Sequence, residues 1–309
     1  MDQHAPPDAR LPNFMVIGAH KAGTTSLHHY LGQHPQVFMS AVKEPCFFAY
    51  LQRKGQPVPS TVPFAESLVY TWPDYARLFE SAGDAIAVGE SSTAYLTSKQ
   101  APHAIHQHIP GARIIAVLRH PVDRAYSQFV MNRQFGVETI ADFEAALAAE
   151  HERRLAGWPA GTHDYAELGR YGRALARYHA IFPAAQIKVC RYEELRDDAH
   201  GLLQDIFSFL GVDATAPVDV SARLLVGRPP PRSRRLSRFV ASQSTAMQMV
   251  KSLVPAGVRT KVRDRLESAN RSPARMTGDL RRRLIAAYRD DLLLLDSLTG
   301  KDFSRWLTE

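Results

Sequence analysis

The sequence has few cysteines and no long apolar run. Cys46 and Cys190 are its two cysteines among 309 residues, too few for a disulfide framework or a thiolate zinc cluster. No apolar run approaches the roughly 18–20 residues that cross a bilayer. Residues 1–12 are polar, contain proline and lack the apolar core of a signal peptide. These features predict a cytoplasmic protein with no transmembrane segment.

Acidic residues are also in the minority, and the basic excess is concentrated in one segment. The formal net charge is +7. Residues 228–283 contain 15 Lys or Arg and 3 Asp or Glu, a local charge of +12, so the rest of the chain sums to −5. Such a segment can bind nucleic acid, an anionic membrane or a phosphorylated small molecule, or it can form a solvated helix surface. Composition alone does not choose between these roles.

Short apolar runs alternate with amphipathic segments over the first two thirds of the chain. The apolar runs are typical of strands buried on both faces of a parallel sheet, and they cover residues 14–18, 85–89, 114–118 and 187–190. The helical patterns between them are long enough to cross back over a sheet, and they cover residues 25–33, 74–80, 122–135, 140–154 and 169–181. This alternation predicts an α/β fold, a three-layer sandwich with a central parallel sheet.

The chain is predicted to form a single domain with three parts. These are a flexible N-terminus, an α/β body, and a basic loop with a helical C-terminal extension, at residues 1–12, 13–227 and 228–309. The extension has apolar residues at three- and four-residue spacing over 236–253, 258–266 and 277–298. Residues 52–63 contain four breaker residues and predict a surface loop, which is either an ordinary connection or a cover for a ligand.

The first apolar run leads into a glycine loop and then a helical pattern. The loop has two glycines five residues apart, as in a phosphate-binding loop, and reads Gly18-Ala19-His20-Lys21-Ala22-Gly23-Thr24-Thr25-Ser26. The nucleotide-triphosphatase pattern has Lys directly after the second glycine and then Ser or Thr for magnesium. Here Thr24 takes that place and Lys21 comes three residues earlier. We therefore predict a P-loop-like anion site without a metal; the alternative is a glycine turn whose threonines cap a helix.

A second anion site is predicted after the run at residues 114–118. Arg119 follows this run directly, and Ser127 lies about two helical turns further on. A guanidinium and a hydroxyl together suit a phosphate group. The alternative is a structural ion pair between Arg119 and Asp123.

Glu90 follows the second apolar run, again where a strand is predicted to end. Lys21, Glu90 and Arg119 then lie at the carboxyl ends of three strands, the edge where open α/β sheets bind ligands. Position alone leaves two interpretations of a carboxylate among cations. Glu90 is either a counter-ion for Lys21 or Lys43, or a general base that takes a proton from an acceptor.

These motifs resemble the sulfotransferase superfamily that uses 3′-phosphoadenosine 5′-phosphosulfate (PAPS), in particular its bacterial and heparan-sulfate-type branch. Two specific motifs about a hundred residues apart carry the resemblance, Lys21-Ala22-Gly23-Thr24-Thr25-Ser26 and Leu118-Arg119-His120-Pro121-Val122-Asp123-Arg124-Ala125-Tyr126-Ser127. Weaker similarities extend it over nearly the whole chain, at Lys43-Glu44-Pro45-Cys46-Phe47-Phe48, Gly89-Glu90-Ser91-Ser92, Gly169-Arg170-Tyr171, Tyr192-Glu193-Glu194-Leu195 and Gly300-Lys301-Asp302-Phe303-Ser304-Arg305-Trp306.

The resemblance implies metal-independent, in-line transfer of a sulfonate group from PAPS to a hydroxyl or amine of a carbohydrate, lipid or other small molecule. Adenosine 3′,5′-bisphosphate (PAP) is the implied second product. By the family pattern, the 5′-phosphosulfate is held by Lys21, Ala22, Gly23, Thr24, Thr25 and Ser26, and the 3′-phosphate by Arg119 and Ser127. A basic loop that closes the nucleotide site is matched by Arg228, Arg232, Ser233 and Arg234, around a triple proline that departs from the pattern.

The family pattern also implies catalytic roles. Glu90 matches the carboxylate that acts as base in the heparan-sulfate-type enzymes, and Lys21 stabilises the departing phosphate. Lys43 either touches the sulfonate or forms a structural pair with Glu44. His20 stands where Gln is common, and is an alternative base or an orienting or packing residue.

Other functions and ligands compete with this interpretation. A phosphoryl-transfer enzyme predicts stabilisation by ATP with magnesium, and a nucleic-acid-binding protein predicts affinity that falls steeply with salt. Residues 228–238 contain no aromatic side chain to stack bases, which counts against nucleic acid. No metal site is predicted, because His103, His106 and His108 have no carboxylate or Cys at ligand spacing. We expect a small-molecule or glycan acceptor. Neither the identity of the acceptor nor the oligomeric state has a signature in the sequence.

Overall fold

The computed structural model describes residues 9–51, 67–222 and 276–308. Several predicted features lie outside these residues. They are the surface loop at 52–63, the helical patterns at 236–253 and 258–266, and the basic loop with Arg228, Arg232, Ser233 and Arg234.

A parallel sheet forms the centre of the described structure. Its strands are β1 (Phe14–Gly18), β2 (Val37–Met39), β3 (Ala87–Ser91), β4 (Arg113–Leu118) and β5 (Ile187–Arg191). They pair in parallel in the order β2-β3-β1-β4-β5. The strands β2 and β3 lie on one side of β1, and the later strands β4 and β5 lie on its other side. The strand order therefore reverses between β1 and β4, the place where open α/β sheets bind ligands.

Helices cover both faces of the sheet, which confirms the predicted three-layer α/β sandwich. They are α1 (Thr24–Leu31), α2 (Phe47–Tyr50), α3 (Trp72–Arg77), α4 (Ala94–Thr97), α5 (Ala101–His108), α6 (Pro121–Phe135), α7 (Phe143–Ala148), α8 (Glu150–Leu155), α9 (Tyr171–His179), α10 (Tyr192–Asp197), α11 (Ala199–Leu210) and α12 (Gly278–Thr299). Short 3₁₀ helices lie at Glu80–Ala82, Glu167–Gly169, Ala184–Gln186 and Ser304–Leu307. Every residue of β1 is buried, as expected for a central strand between two helical layers.

Three elements differ from the sequence prediction. The three-residue strand β2 was not predicted, because so short a run carries no readable periodicity. β3 begins and ends two residues later than the run at 85–89, which brings Glu90 inside the strand. The predicted helix at 140–154 is two helices, because Asp142 caps α7 by accepting a hydrogen bond from Ala145 N at 2.9 Å and α8 begins separately at Glu150.

The C-terminal helix α12 packs on α9 and joins the main core. Leu280, Tyr288, Leu292 and Leu295 of its predicted apolar stripe are buried, whereas Ala287 is exposed. A Cβ on Gly172 would lie 2.2 Å from the Asp291 carbonyl oxygen, so glycine is needed where the two helices cross. The Asp291 carboxylate accepts the Gly172 N–H at 2.8 Å, which satisfies a free amide at the start of α9.

The described N-terminal residues are held to the body, and no helix within the described ranges is a candidate membrane span. Arg10 donates to the carbonyl oxygens of Gly83 and Ala85, so this part of the predicted flexible N-terminus is bonded to the turn before β3. Among the described helices, none is long and apolar enough to cross a bilayer. The predicted cytoplasmic location stays a prediction.

Candidate functional site

The loop between β1 and α1 presents uncapped backbone N–H groups. Gly23 is the N-cap of α1, has a φ of 83°, and provides no side-chain cap. A Cβ at this position would lie 2.9 Å from Leu195 Cδ2 and 3.2 Å from the Tyr192 ring, so both backbone conformation and close packing require glycine. The threonines that follow do not occupy the N-cap position. The start of α1 therefore has no side-chain cap from its N-cap residue, and the helix dipole favours an anion there.

Lys21 and Arg119 meet where the strand order reverses. Arg119 Nη1 donates to the Lys21 carbonyl oxygen at 3.2 Å, and its guanidinium lies 5.0 Å from the centre of the Tyr192 ring. Asp123 pairs with Arg281 at 2.6 Å, so the alternative Arg119–Asp123 pair is not formed. The structure thus brings together the two cations that the sequence placed in separate phosphate motifs.

Lys21 has no carboxylate partner among the described residues. Its Nζ contacts Met131 Sδ of α6 at 3.5 Å. Burial lowers the pKa of Lys21, and the positive charges of Arg119 and Arg124 lower it further. A cation that is partly desolvated and surrounded by like charge is strongly stabilised by a bound anion.

Hydroxyl groups flank these cations on α1 and α6. Thr24 and Ser26 are buried together with Ala22, while Thr25 and Ser127 are partly exposed. The Ser127 hydroxyl has no hydrogen-bond partner within the described part of the chain, so it is free to donate to a ligand. The loop after β1 and the start of α6 together supply the ammonium, guanidinium, hydroxyl and amide donors that phosphate groups take.

Arg124 is a buried cation that the sequence motifs did not single out. It is 0% exposed, and its guanidinium donates to Gln128 Oε1 at 2.8 Å and to the Tyr165 carbonyl oxygen. No carboxylate pairs with it in the described segments. Its charge contributes to the lowered pKa values of His20 and Lys21, so its field extends to the loop after β1.

Glu90 lies inside the body, below the open edge of the sheet. It is 0% exposed. Ser92 Oγ donates to its Oε2 at 2.6 Å, and the Tyr95 and Tyr75 hydroxyls donate to its Oε1 at 2.6 and 3.2 Å. Burial raises the pKa of Glu90 to about 7, although the three hydroxyl donors act in the opposite direction. Glu90 makes no ion pair with any described residue, which removes the counter-ion interpretation, and its enclosure does not favour the predicted role as base.

Glu44 is the more accessible carboxylate. Its side chain is 11% exposed, and its Oε1 pairs with Lys43 Nζ at 2.7 Å. Thr93 N donates to its Oε2 at 2.6 Å, and Thr93 Oγ1 lies 3.1 Å from both oxygens. The sequence indicates Glu44 only as a partner of Lys43, because the two residues are adjacent in the chain. The structure makes this pair and adds Glu44 to the candidates for the base.

His20 is a weak candidate for the base. Burial lowers its pKa to about 3, and the charges of Arg124, Lys21 and Lys43 contribute in that order. The imidazole is therefore neutral near pH 7 and a poor proton acceptor. Its place among three cations agrees better with the orienting or packing role that the sequence left open.

The described residues contain no metal-ligating cluster, and both cysteines are buried. These cysteines, Cys46 and Cys190, are free thiols. Residues 9–51, 67–222 and 276–308 contain no group of three or more His, Cys, Asp or Glu side chains that could hold a metal ion.

The sequence matches a known family over most of its length. A family model described as the sulfotransferase family matches residues 12–216. The chain belongs to the sulfotransferase family. This agrees with the resemblance seen in the two phosphate motifs.

This sulfotransferase is similar to enzymes of heparan sulfate modification. It is 29% identical over 214 residues to the human bifunctional heparan sulfate N-deacetylase/N-sulfotransferase 2, a match that covers 66% of this chain and 22% of the relative. It is 26% identical over 207 residues to human heparan sulfate glucosamine 3-O-sulfotransferase 6, covering 66% of this chain and 53% of that protein. The matches thus span about a fifth of the bifunctional relative and about half of the 3-O-sulfotransferase.

A solved structure supports the fold over nearly the whole chain. The crystal structure of a sulfotransferase from Alicyclobacillus acidocaldarius has a TM-score of 0.75 and 27% sequence identity to this sulfotransferase. The alignment covers 96% of this chain and 99% of the other.

Proposed function

We propose that this sulfotransferase transfers the sulfonate group of PAPS to a hydroxyl or amine of a carbohydrate or another small molecule and releases PAP. The observation that carries the proposal is the meeting of Lys21 and Arg119 at the ends of β1 and β4. Two predicted anion motifs nearly a hundred residues apart in the chain lie next to each other, which supports a single site for both. PAPS offers one anionic group to each, its 5′-phosphosulfate and its 3′-phosphate.

The residues around β1 and β4 fit such a donor. Lys21, the α1 amides and the hydroxyls of Thr24, Thr25 and Ser26 would hold the 5′-phosphosulfate. Arg119 and Ser127 would hold the 3′-phosphate. Neutralisation of the departing phosphate by an ammonium and by amide donors is electrostatic stabilisation that needs no reorganisation during the reaction.

We further propose Glu44 as the group that takes the acceptor proton. Unlike Glu90, it has an exposed fraction, and Lys43 and Thr93 fix its position. The E44Q variant should lower kcat by about 10²–10⁴-fold, the usual contribution of a general base, with PAP binding unchanged. Full sulfonation activity in E44Q, together with a loss of that size in E90Q, would return the role to Glu90.

The proposed acceptor is a carbohydrate with a free amine or hydroxyl. The names of the heparan sulfate relatives support this choice, and so does an exposed apolar side chain near the donor loop. Phe135 is 71% exposed and lies one helical turn after Met131, whose sulfur contacts Lys21. An apolar ring beside a cationic site can contact one face of a sugar while charged groups bind its substituents.

Donor binding is the decisive test of the proposed function. PAP at about 100 times its dissociation constant should stabilise the protein by roughly 2.7 kcal/mol, which thermal unfolding measures. ATP with magnesium and duplex DNA are the controls for a phosphoryl-transfer enzyme and a nucleic-acid-binding protein. A thermal shift with ATP and magnesium but none with PAP would overturn the proposal.

The acceptor class can be tested separately with radiolabelled PAPS. De-N-sulfated heparin offers free glucosamine amines, and its N-acetylated form offers only hydroxyls. Label in the first polymer alone indicates N-sulfonation, and equal label in both indicates O-sulfonation. Label in neither polymer, but in another component of an extract of the source cells, would exclude this carbohydrate class.

A further inference from the structure

The proposed mechanism gives no task to Glu90, although its carboxylate is 0% exposed. Burying a carboxylate is costly unless hydrogen bonds compensate it. Glu90 is compensated by three hydroxyls, those of Tyr75, Ser92 and Tyr95. The hydroxyls of Ser92 and Tyr95 also accept hydrogen bonds through their lone pairs.

Ser92 and Tyr95 each connect Glu90 to a backbone amide of the segment at residues 44–48. Cys46 N donates to Ser92 Oγ at 2.9 Å, and Ser92 Oγ donates on to Glu90. Phe48 N donates to the Tyr95 hydroxyl at 3.3 Å, and that hydroxyl also donates to Glu90. Both chains of hydrogen bonds run in the same direction, from a backbone N–H to the buried carboxylate.

The segment that these amides belong to needs such support. Glu44 and Cys46 have positive φ values of 61° and 52°, in the left-handed region that non-glycine residues rarely adopt. Such residues persist only when the surrounding structure holds them. Glu44 lies two residues before the first of the two bonded amides, and Thr93, which binds its carboxylate, directly follows Ser92 in the chain.

We propose that Glu90 is a positioning residue which, through the hydroxyls of Ser92 and Tyr95, holds residues 44–48 in place and so fixes the carboxylate of Glu44. An ionised carboxylate only accepts hydrogen bonds. It therefore orients both hydroxyl protons toward itself and leaves their lone pairs to the two amides. A protonated Glu90, or a glutamine, has a donor of its own, so one hydroxyl proton loses its acceptor.

The proposal predicts a dependence on pH near neutrality, because burial raises the pKa of Glu90 to about 7. The titratable groups around it come from several elements: Tyr75, Tyr95, Tyr178, Cys46 and Glu44. Burial raises the pKa values of the three tyrosines and of Cys46, so these groups stay neutral at pH 7. Glu44 is paired with Lys43. Among the described groups of this cluster, Glu90 is the one whose pKa is raised to near neutral pH.

The test is hydrogen exchange at the amides of Cys46 and Phe48, measured by NMR in the whole chain and expressed as protection factors. In the wild type, protection should rise about tenfold as the pH rises through 7, the equivalent of one net hydrogen bond. In E90Q it should be low and independent of pH. S92A should lower protection mainly at Cys46, and Y95F mainly at Phe48. The matched control is Y75F, which removes a hydroxyl bonded to Glu90 at 3.2 Å but not to either amide. It should keep the full protection of both amides at high pH and move the midpoint of the rise to higher pH, because Glu90 loses a donor that lowers its pKa.

Two results would overturn the proposal. One is wild-type protection at Cys46 and Phe48 that does not change with pH between 6 and 8. The other is an effect of Y75F equal to that of Y95F, which would indicate general loosening of the cluster. Cys190 N in β5 reports global unfolding, so its protection is the reference against which the protection of Cys46 and Phe48 is compared in each variant and at each pH. This proposal rests on the proposed function only for the role of Glu44. The exchange measurement needs no substrate, so it tests the positioning role separately. A missing thermal shift with PAP would contradict the proposed function and not the positioning role of Glu90.

Discussion

Positive charge is compensated in opposite ways in two regions of the molecule. Where β1 and β4 end, Lys21 contacts a methionine sulfur and Arg119 a backbone carbonyl, and neither is paired with a carboxylate among the described residues. Beside α8, Arg153 makes two bonds to Glu138, at 2.7 and 2.9 Å. The cations at the ends of β1 and β4 thus lack a carboxylate counter-charge among the described residues, whereas Arg153 has one in Glu138.

The Arg153–Glu138 pair is completed by its surroundings. The Tyr165 hydroxyl donates to Glu138 at 2.9 Å, and Ile140 N donates at 2.8 Å. These bonds and the Arg153 guanidinium lower the pKa of Glu138 despite its burial. A buried ion pair with every partner in place is complete within the protein, whereas the proposed donor would supply the negative charge that Lys21 and Arg119 lack. The comparison can be tested by removing charge from each region in turn.

The largest expected effect comes from R153A. It leaves the Glu138 carboxylate buried and unpaired, and breaking a buried pair in this way costs about 3–5 kcal/mol. Urea unfolding should show this loss in the free energy of unfolding. The dissociation constant of PAP, measured at a temperature where the variant is folded, should stay within about twofold of the wild-type value. Weaker PAP binding in R153A would remove the distinction between the two regions.

K21A should show the reverse pattern. Removal of one preorganised charge that stabilises a departing anion costs about 10²–10³-fold in kcat, and PAP binding should weaken as well. The free energy of unfolding should not fall, because Lys21 has no carboxylate partner in the described structure and is desolvated among like charges. Activity and urea unfolding of K21A, compared with those of R153A, check the assignment. A variant that loses stability but keeps its affinity for PAP would show that Lys21 is a structural residue.

Glu90 provides a third case, a buried charge without a cation. Its pKa is about 7 in the folded protein against 4.5 ordinarily. Because the folded pKa is the higher one, the stabilisation is present below pH 4.5 and is lost as the pH rises from 4.5 to about 7. At about 1.4 kcal/mol per pH unit, the loss is about 3 kcal/mol. Urea unfolding between pH 4.5 and 8 should show this slope in the wild type relative to E90Q; parallel curves would contradict it.

Sequence periodicity and the two phosphate motifs predicted much of the fold and the cationic edge of the site. Residues 14–18 of β1 and 114–118 of β4 are continuous apolar runs, and Lys21 and Gly23 follow the first of them. The positions of these features can therefore be predicted from local sequence pattern. Which carboxylate reaches the open edge depends on tertiary structure. A shift of two residues in β3 placed Glu90 within the strand, where side chains alternate between the faces of the sheet.

Arg124 and Glu44 illustrate what sequence could not provide. Arg124 lies in the second phosphate motif, but its burial and the absence of a described carboxylate partner follow from packing of α6 against residues 161–165. Glu44 is held by Thr93, which lies 49 residues away in the chain. Neither contact has a local signature, because both arise where separate elements meet.

The smallest expected effect concerns the Asp123–Arg281 pair, which joins α6 to α12 at 2.6 Å. Its side chains are 40% and 25% exposed, so solvent screens the attraction and the pair should contribute less than about 1 kcal/mol. D123N should therefore reduce the free energy of unfolding only slightly, and high salt should remove the difference from wild type. Its effect on PAP affinity is the informative measurement. The pair keeps Asp123 away from Arg119 four residues earlier, so a loss of the aspartate charge should leave PAP binding unchanged. A gain of affinity in D123N would show that Asp123 competes with the donor for Arg119. Arg119 would then have a counter-charge within the protein, as Arg153 has, and the contrast between the two regions would be weaker.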